Sequence, residues 1–355
     1  MAPQPPNLAK AWNALLDDLR VLGEEVLDPA VAAGEQADGL RFLLRMVGLY
    51  EEQCLEFAST AHPEFWFVES PTRKIFADCP DTKYRQVQVD PARTYRLRGR
   101  LGEHAYLSIT AYRRRSQDRL VADLHDGELE VDPSGRFELV LSSEKTRGNW
   151  LDLGGDAGFV VVREYYNDRA NDRPAEYEIS VDGGPYPARS ELDGPTLESA
   201  LDRIREGVAF AARASAGLTS TLAATPNQMS EAAARIVSEM AGTPHNYYQL
   251  GYYRLAESQA LELTVDPPKS RYWSVHLNNG WLESPEYRDA GRCVCINGSQ
   301  AVRDSDGHYR FVVASSDPGH TGWLDTGGRM EGVLLARYLL PDGELRPIRT
   351  RIVDL

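Results

Sequence analysis

The residues best suited to carry out chemistry in this sequence lie on one predicted strand, RYWSVHLNN at 271–279. Side chains alternate along a strand, so one face carries Tyr272, Ser274, His276 and Asn278 while the other face is apolar. Histidine is the side chain best suited to proton transfer near neutral pH, and neighbouring hydroxyl and amide groups can orient it. We therefore predict His276 as a catalytic acid or base and the other three residues as substrate-binding groups.

This polar and aromatic face allows two interpretations. It can line a pocket for a carbohydrate-like or ring-bearing molecule, because aromatic rings stack on flat ligands and polar groups fix their orientation. It can equally be a solvated face, since one wet face is normal in antiparallel sheets, and a lone strand histidine is commonly structural. We also assign Trp281, just beyond the strand, to the predicted binding residues.

Arginine interrupts two otherwise apolar segments, FVVVREYY with Arg163 and VLLARYLL with Arg337. A buried guanidinium requires a carboxylate or several carbonyl groups, because an unpaired buried charge is very costly. Asp152 and Asp325, across the preceding turns, are the nearest candidates in sequence. The structural interpretation is a paired arginine in each segment. The functional one is that Arg337 binds an anionic substrate group through a bidentate contact.

Metal and cofactor chemistry have little support. The sequence shows no G-x-S-x-G, dinucleotide-binding or P-loop pattern, and its seven histidines have no H-x-H or H-x-x-E-H spacing. Cys293 and Cys295 would place both thiols on one face of a strand, although two small core residues are the usual explanation. We predict no metal and no cofactor, and leave open a non-local site that includes His125 and Asp126.

The segments around these residues occur twice. The range 95–112 aligns without a gap on 261–278, 135–143 aligns on 307–315, and GNWLDLGG at 148–155 matches GWLDTGG at 322–328. Shared order and shared turns indicate an internal duplication, in which Thr110 is the counterpart of His276. The W-L-D-x-G-G pattern is typical of a turn in which the Trp covers the core, the Asp holds turn amides and the glycines adopt positive φ.

We predict a mainly β fold with helical segments: two repeated antiparallel β-sandwich units, jelly-roll-like, plus N-terminal helices and a helical connector. Apolar residues at spacings of three and four predict helices in the N-terminal segment 1–60, the second at about 38–58. Helical spacing returns in the connector 188–243, where SEAAARIVSEMAG at 230–242 predicts a shorter helix. Alternating patterns place the first sandwich at 61–187 and the second at 244–355.

The second β region contains RYWSVHLNNGW, INGSQAV, DGHYRFVVASSDP and GWLDTGGRMEGVLLARYLLP in this order. With these motifs it resembles the bacterial domain-of-unknown-function family 1214, which is often joined to another such domain, numbered 1254. The resemblance covers roughly the last 110 residues, and the first β region more loosely through its NWLD copy. It implies a jelly-roll-like β-sandwich. The family carries no settled activity, so the resemblance assigns no catalytic residue.

The net charge of −14 argues against nucleic-acid and anionic-membrane partners, which bind basic surfaces. The N-terminus lacks a basic region followed by an apolar run, and no stretch reaches about 18 apolar residues, so a cytoplasmic location is expected. We expect the partner to be a small-molecule ligand, and in one hypothesis the protein is a cofactor-independent hydrolase or lyase. The alternative is a non-catalytic binding or assembly module that forms a homo-oligomer through an exposed aromatic face around Trp273 or Trp281.

Overall fold

The computed structural model describes residues 7–29, 33–114, 119–184, 188–189, 191–230, 242–288 and 292–355. The α-helices in these ranges are α1 (Leu8–Val26), α2 (Ala33–Glu51) and α3 (Gly194–Ala223), and a π-helical turn at Glu52–Glu56 follows α2. The side chain of Asp193 caps α3 by accepting a hydrogen bond from Thr196 N. The three helices share one apolar cluster, and no helix described is long and apolar enough to cross a membrane.

Two sets of strands follow one another along the chain. The first set is β1 (Trp66–Phe67), β2 (Thr82–Gln88), β3 (Tyr95–Arg100), β4 (Tyr106–Arg113), β5 (Leu120–His125), β6 (Arg136–Ser142), β7 (Trp150–Asp152), β8 (Ala157–Tyr165) and β9 (Glu176–Val181). The second set is β10 (Gln228–Ser230), β11 (Asn246–Arg254), β12 (Gln259–Val265), β13 (Tyr272–Asn278), β14 (Cys295–Asn297), β15 (Tyr309–Ala314), β16 (Trp323–Asp325), β17 (Glu331–Leu339) and β18 (Arg349–Asp354).

The two sets form sheets with the same strand order. The first half has sheets β1-β2-β8-β4-β5 and β7-β6-β3-β9, and the second has β10-β11-β17-β13-β14 and β16-β15-β12-β18. Within each half, the two sheets enclose an apolar core, which contains Leu97, Ile109 and Val162 in the first and Leu263, Val275 and Leu334 in the second. The predicted mainly β fold with an internal duplication is therefore confirmed.

The predicted W-L-D-x-G-G turn is confirmed in both copies except at Gly155, which does not adopt a positive φ, and the strand directions need one correction. Asp325 Oδ1 accepts a hydrogen bond from Gly327 N at 2.7 Å, and Gly327 has a φ of +67°. Trp323 Nε1 donates to Ala314 O at 3.1 Å and so ties the turn to the neighbouring strand. The W-L-D strands β7 and β16 pair in parallel with β6 and β15, so the sheets are not wholly antiparallel.

The helical segments differ from prediction at their ends. The second helix begins at Ala33 and gives way to the π-helical turn before residue 58. The connector contains the short strand β10 after α3, because Gln228–Ser230 pairs with the edge of β11. The helix predicted at 230–242 lies almost wholly outside the described residues.

Candidate functional site

The two five-stranded sheets face each other, and the duplication gives both facing surfaces the same central row. The first row is Tyr84 on β2, Arg163 on β8 and Ser108 on β4, and the second is Tyr248 on β11, Arg337 on β17 and Ser274 on β13. Both arginines contact Tyr84: the Arg163 guanidinium lies 5.3 Å from its ring centroid, and Arg337 Nη1 lies 3.5 Å from its hydroxyl. The two rows therefore meet between the sandwiches.

A cavity of about 550 Å³ lies between these rows and helix α3. Its inner wall includes Arg163 and Arg337, which are both buried. Arg114, Glu206 and Phe210 also line it and are exposed, so they mark its entrance. Pockets of about 300–1,000 Å³ commonly hold small organic molecules, so the cavity is large enough for such a ligand.

Arg337 is 3% exposed and binds only neutral groups in the part of the chain that the structure describes. Its Nη2 donates to Ala77 O at 2.9 Å and to His276 Nε2 at 3.2 Å. Its Nε has no hydrogen-bond partner there. The expected partner, Asp325, is instead bound by Arg292 at 3.3 Å. A buried guanidinium without a carboxylate is costly, so Arg337 retains capacity to bind an anion.

Arg163, the counterpart of Arg337, has a different environment because the two copies have diverged. Arg163 Nη1 donates to Thr110 Oγ1 at 3.2 Å, and the Thr110 hydroxyl in turn donates to Asp123. In the strand register, Thr110 lies opposite Asp123, whereas its counterpart His276 lies opposite Cys295. The first copy thus supplies a carboxylate close to its arginine, and the second copy has a thiol at that position.

Glu69 lines the cavity as a buried, protonatable carboxyl group. Burial raises its pKa to about 7, and the charge of Asp78 acts in the same direction. A hydrogen bond from Thr82 Oγ1, 2.5 Å from Glu69 Oε1, opposes the shift, as do the positive charges of Arg169 and Arg337. Glu69 is therefore poised to exchange a proton near neutral pH.

Unpartnered hydrogen-bond donors also line the cavity. Gln86 Nε2 is buried without a partner among the described residues, as is Arg337 Nε. Buried polar groups in proteins are normally hydrogen-bonded, so each such group calls for an explanation. A guanidinium and the nitrogen of a side-chain amide can only donate, so both would be satisfied by acceptor atoms of a bound ligand.

The backbone beside the cavity is strained. Phe76, Ala77 and Leu282 line it and have φ values of +49°, +59° and +59°. Each such non-glycine residue costs on the order of 1–3 kcal/mol, and such strain concentrates at functional sites. The hydrogen bond from Ala77 N to Leu282 O, at 2.8 Å, joins the two strained segments. This conformation directs the Ala77 carbonyl to Arg337.

The structure brings four predicted site residues onto one buried face, but only the adjacent Arg337 reaches the cavity. His276 lies behind Arg337, and burial followed by the Arg337 charge lowers its pKa well below the usual value. Tyr272 donates to Asp81 Oδ2 at 2.8 Å, and Asn278 Nδ2 lies 3.4 Å from Asp78 O. Ser274 is fully buried on the same face. The alternative interpretation, that this face of the strand is exposed to solvent, is therefore wrong.

Trp281 lies apart from these residues, against the N-terminal helices. Its ring stacks on Phe42 at 5.4 Å, and its Nε1 donates to Glu35 O at 3.2 Å.

We expect Trp281→Ala to lower the free energy of unfolding by about 3 kcal/mol, as loss of a packed aromatic ring does, without weakening ligand binding. Urea denaturation with and without ligand measures both effects. Trp12→Ala, at a half-exposed tryptophan of α1, is the control. Loss of ligand binding in a folded Trp281→Ala protein would instead place this residue in the site.

Sequence reasoning did not identify Glu69, Gln86, Tyr84 or Tyr248. The two tyrosines could have been found by extending the repeat by one strand, since β2 and β11 occupy equivalent positions in their sheets. Glu69 had no such signal, because it precedes a turn in a segment that the aligned repeat ranges do not include. Its proximity to the arginines depends on how the two halves pack together.

Comparisons with known proteins place this fold in a family. Residues 80–170 and 252–343 each match the family described as protein of unknown function DUF1214, and together these ranges span just over half of the chain. The chain belongs to this family, as its resemblance predicted. The comparison with curated proteins gives no match.

Two solved structures share the architecture. An uncharacterized protein from Burkholderia cenocepacia is similar over 97% of this chain and 96% of its own, with 31% sequence identity and a TM-score of 0.90. A protein from Vibrio parahaemolyticus is similar over 96% of this chain and 99% of its own, with 11% identity and a TM-score of 0.52. The second likeness shows the fold alone.

Proposed function

We propose that this protein binds a small organic anion in the cavity between its two sandwiches. The ligand's carboxylate or phosphate contacts Arg337, and its apolar, ring-bearing body fills the rest of the cavity. The observation that carries the proposal is the state of Arg337, a buried cavity-lining guanidinium that binds only neutral groups among the described residues and has an unpartnered Nε. A charge-assisted, bidentate contact with an acid would satisfy it.

The charges of the lining support an anionic ligand. The arginines that line the cavity are Arg114, Arg119, Arg163, Arg203 and Arg337, and the acidic residues are Glu69 and Glu206. This local excess of positive charge occurs in a chain with a net charge of −14. A positive, partly desolvated cleft on an acidic protein concentrates anions at that place rather than over the whole surface.

The apolar lining supports a ring-bearing ligand rather than a sugar. The cavity is also lined by apolar side chains, namely Ile75, Phe76, Phe159, Val161 and Leu335. Sugars carry hydroxyl groups on most carbons, and burying them against these side chains would leave the hydroxyls unpaired. Aromatic or branched aliphatic acids match both the apolar wall and the guanidinium.

Hydrolase or lyase activity is a second candidate, favoured by Glu69. A general acid or base must reach the substrate, and Glu69 lines the cavity with a pKa of about 7. We assign the proton transfer to Glu69 rather than to His276, because His276 lies behind Arg337. The assembly alternative has less support, since Trp273 is 8% exposed and Trp281 packs on Phe42. We also retain a cytoplasmic location as a proposal, because the buried thiols are free.

A thermal-shift panel of aromatic and branched aliphatic acids tests the proposal, with the primary amide of each acid as its matched neutral control and with free sugars alongside. At a hundred times its dissociation constant, a ligand adds about 2.7 kcal/mol to the free energy of unfolding. We expect one class of acids to raise the melting temperature and the corresponding amides not to do so. Equal responses to an acid and its amide, or a response to sugars alone, would show that anion binding is wrong.

A further inference from the structure

Two cysteines and a histidine converge beside Arg337, outside the cavity. Cys79 precedes β2 in the first half, whereas His276 on β13 and Cys295 on β14 belong to the second. Their ligand atoms all lie within 4.8 Å of one another. The three residues are 2%, 0% and 9% exposed, so bulk water has little access to the cluster.

The spacing of the thiols matches metal coordination. Cys79 Sγ and Cys295 Sγ are 3.8 Å apart. In a tetrahedral zinc site with Zn–S bonds of about 2.3 Å, two sulfur ligands are also about 3.8 Å apart. His276 and Cys295 lie directly opposite each other on paired strands, which fixes their separation through the sheet. An ion could therefore be bound with little rearrangement of the two thiols.

The hydrogen bonding of His276 leaves one ring nitrogen for a ligand. Nδ1 is buried and has no partner among the described residues. The Ala77 carbonyl interacts with the same imidazole. Metal-bound histidines commonly donate their second ring N–H to a backbone carbonyl. Coordination through Nδ1 would use this arrangement, with Nε2–H donating to Ala77 O in place of the hydrogen bond that Nε2 now accepts from Arg337.

We propose that Cys79, Cys295 and His276 bind one thiophilic d¹⁰ metal ion, Zn²⁺ or Cu⁺. Two thiolates and an imidazole are ligands that these ions prefer, whereas Mg²⁺ and Ca²⁺ require oxygen ligands. The ion joins the strained loop of the first half to the second sandwich. Asp81 Oδ2, 3.6 Å from Cys295 Sγ, closes one side of the site. This site is separate from the anion cavity, so it does not depend on the proposed function.

The first test uses the wild-type protein alone. The protein is purified under reducing conditions without chelators, and its zinc and copper contents are measured by mass spectrometry of the elements. Metal-stripped protein is then titrated separately with Zn²⁺, Cu⁺ and Co²⁺. We expect one equivalent of ion to bind and cobalt to show a thiolate-to-metal charge-transfer band. The ion found in the purified protein that also binds stoichiometrically in the titration is the one that the site holds. Absence of stoichiometric binding by all three ions overturns the proposal.

Serine variants test the ligands. Cys79→Ser and Cys295→Ser should each weaken binding by more than the about 10–100-fold that loss of an outer-shell partner costs. Cys293→Ser is the matched control, because its half-buried thiol lies two residues away and contacts Cys295 O. Circular dichroism checks that each variant is folded. Wild-type affinity in a folded Cys295→Ser protein would contradict the proposal. A Cys79–Cys295 disulfide that persists in protein purified under reducing conditions, seen as a mass lower by two hydrogens, would also contradict it.

Discussion

Arg337→Met is expected to abolish the stabilisation of this protein by its acid ligand, with an affinity loss on the order of 100-fold. Methionine has a similar length and fills the same buried space, but it has neither charge nor donors. A charged hydrogen bond made in a desolvated site is worth several kcal/mol on binding, which corresponds to a loss of this size. Calorimetric titration of both proteins with the best acid of the panel measures it.

Two further arginine variants are the controls for this result. Arg351→Met removes an exposed arginine that pairs with Glu262, and should leave ligand affinity unchanged. Arg163→Met changes the matched position of the first copy, where Arg163 donates to Thr110 and Thr110 donates to the Asp123 carboxylate. Because an acidic group is already near Arg163, its effect should be smaller than that of Arg337→Met. Undiminished binding of the acid by a folded Arg337→Met protein would show that the anion binds elsewhere.

The free energy of unfolding of the unliganded Arg337→Met protein separates a structural role from a binding role. If Arg337 served only the fold, losing its hydrogen bonds to Ala77 and His276 would cost stability, on the order of 1–3 kcal/mol for each acceptor left unpaired. Removing a buried charge that lacks a carboxylate partner instead raises the free energy of unfolding. We therefore expect Arg337→Met to change the free energy of unfolding only slightly without ligand and to lower it strongly, relative to the wild type, when the ligand is present.

The fold was predictable because it depends on local pattern and repetition. Strand alternation identified β4 and β13, and the W-L-D-x-G-G copies marked equivalent turns with the same Asp–amide contacts. The parallel pairing of β7 and β16 was not predictable, since alternation along a strand does not report the direction of its neighbour. The start of α2 and the π-helical turn after it depend on packing between helices, which overrides local propensity.

The site was only partly predictable, for a different reason. Alternation correctly placed Tyr272, Ser274, His276 and Asn278 on one face, and the repeat singled out Arg163 and Arg337. The sequence pattern could not show that this face packs against the matching face of the other copy and is therefore not exposed to solvent. That packing buries His276 and brings Glu69, from a segment far away in sequence, to the cavity.

Divergence between the copies explains why, in the described part of the chain, Arg337 lacks the acidic neighbour that its counterpart has. Arg163 contacts Thr110, which contacts Asp123, and the matched positions in the second copy are Arg337, His276 and Cys295. A thiol at the position of the carboxylate leaves no acidic group there in the second copy. The same change supplies one of the three ligands of the proposed metal site. One divergent row thus underlies both the proposed anion site and the proposed metal site beside it.

Glu69→Gln is expected to raise the free energy of unfolding, relative to the wild type, by more above pH 7 than at low pH. Burial raises the pKa of Glu69 from an ordinary value of 4.5 to about 7, so the folded state holds its proton when the unfolded state has lost it. The stability that the neutral carboxyl contributes is complete below pH 4.5 and is lost as the pH rises through about 7. At 1.36 kcal/mol per pKa unit, the loss is on the order of 3 kcal/mol. Glutamine cannot ionise, so its protein avoids this loss.

Urea denaturation of both proteins at pH 5 and pH 8 measures the difference. The introduced glutamine retains a side-chain oxygen that accepts the hydrogen bond from Thr82, so the comparison isolates ionisation. Glu206→Gln, at an exposed residue of the cavity entrance, removes the other carboxylate that lines the cavity and is the matched control. A difference between Glu69→Gln and wild type that stays constant from pH 5 to pH 8 would mean that Glu69 is ionised throughout. Glu69 would then carry a fixed negative charge in the cavity that Arg337 also lines, and the cavity would favour a neutral ligand over an acid.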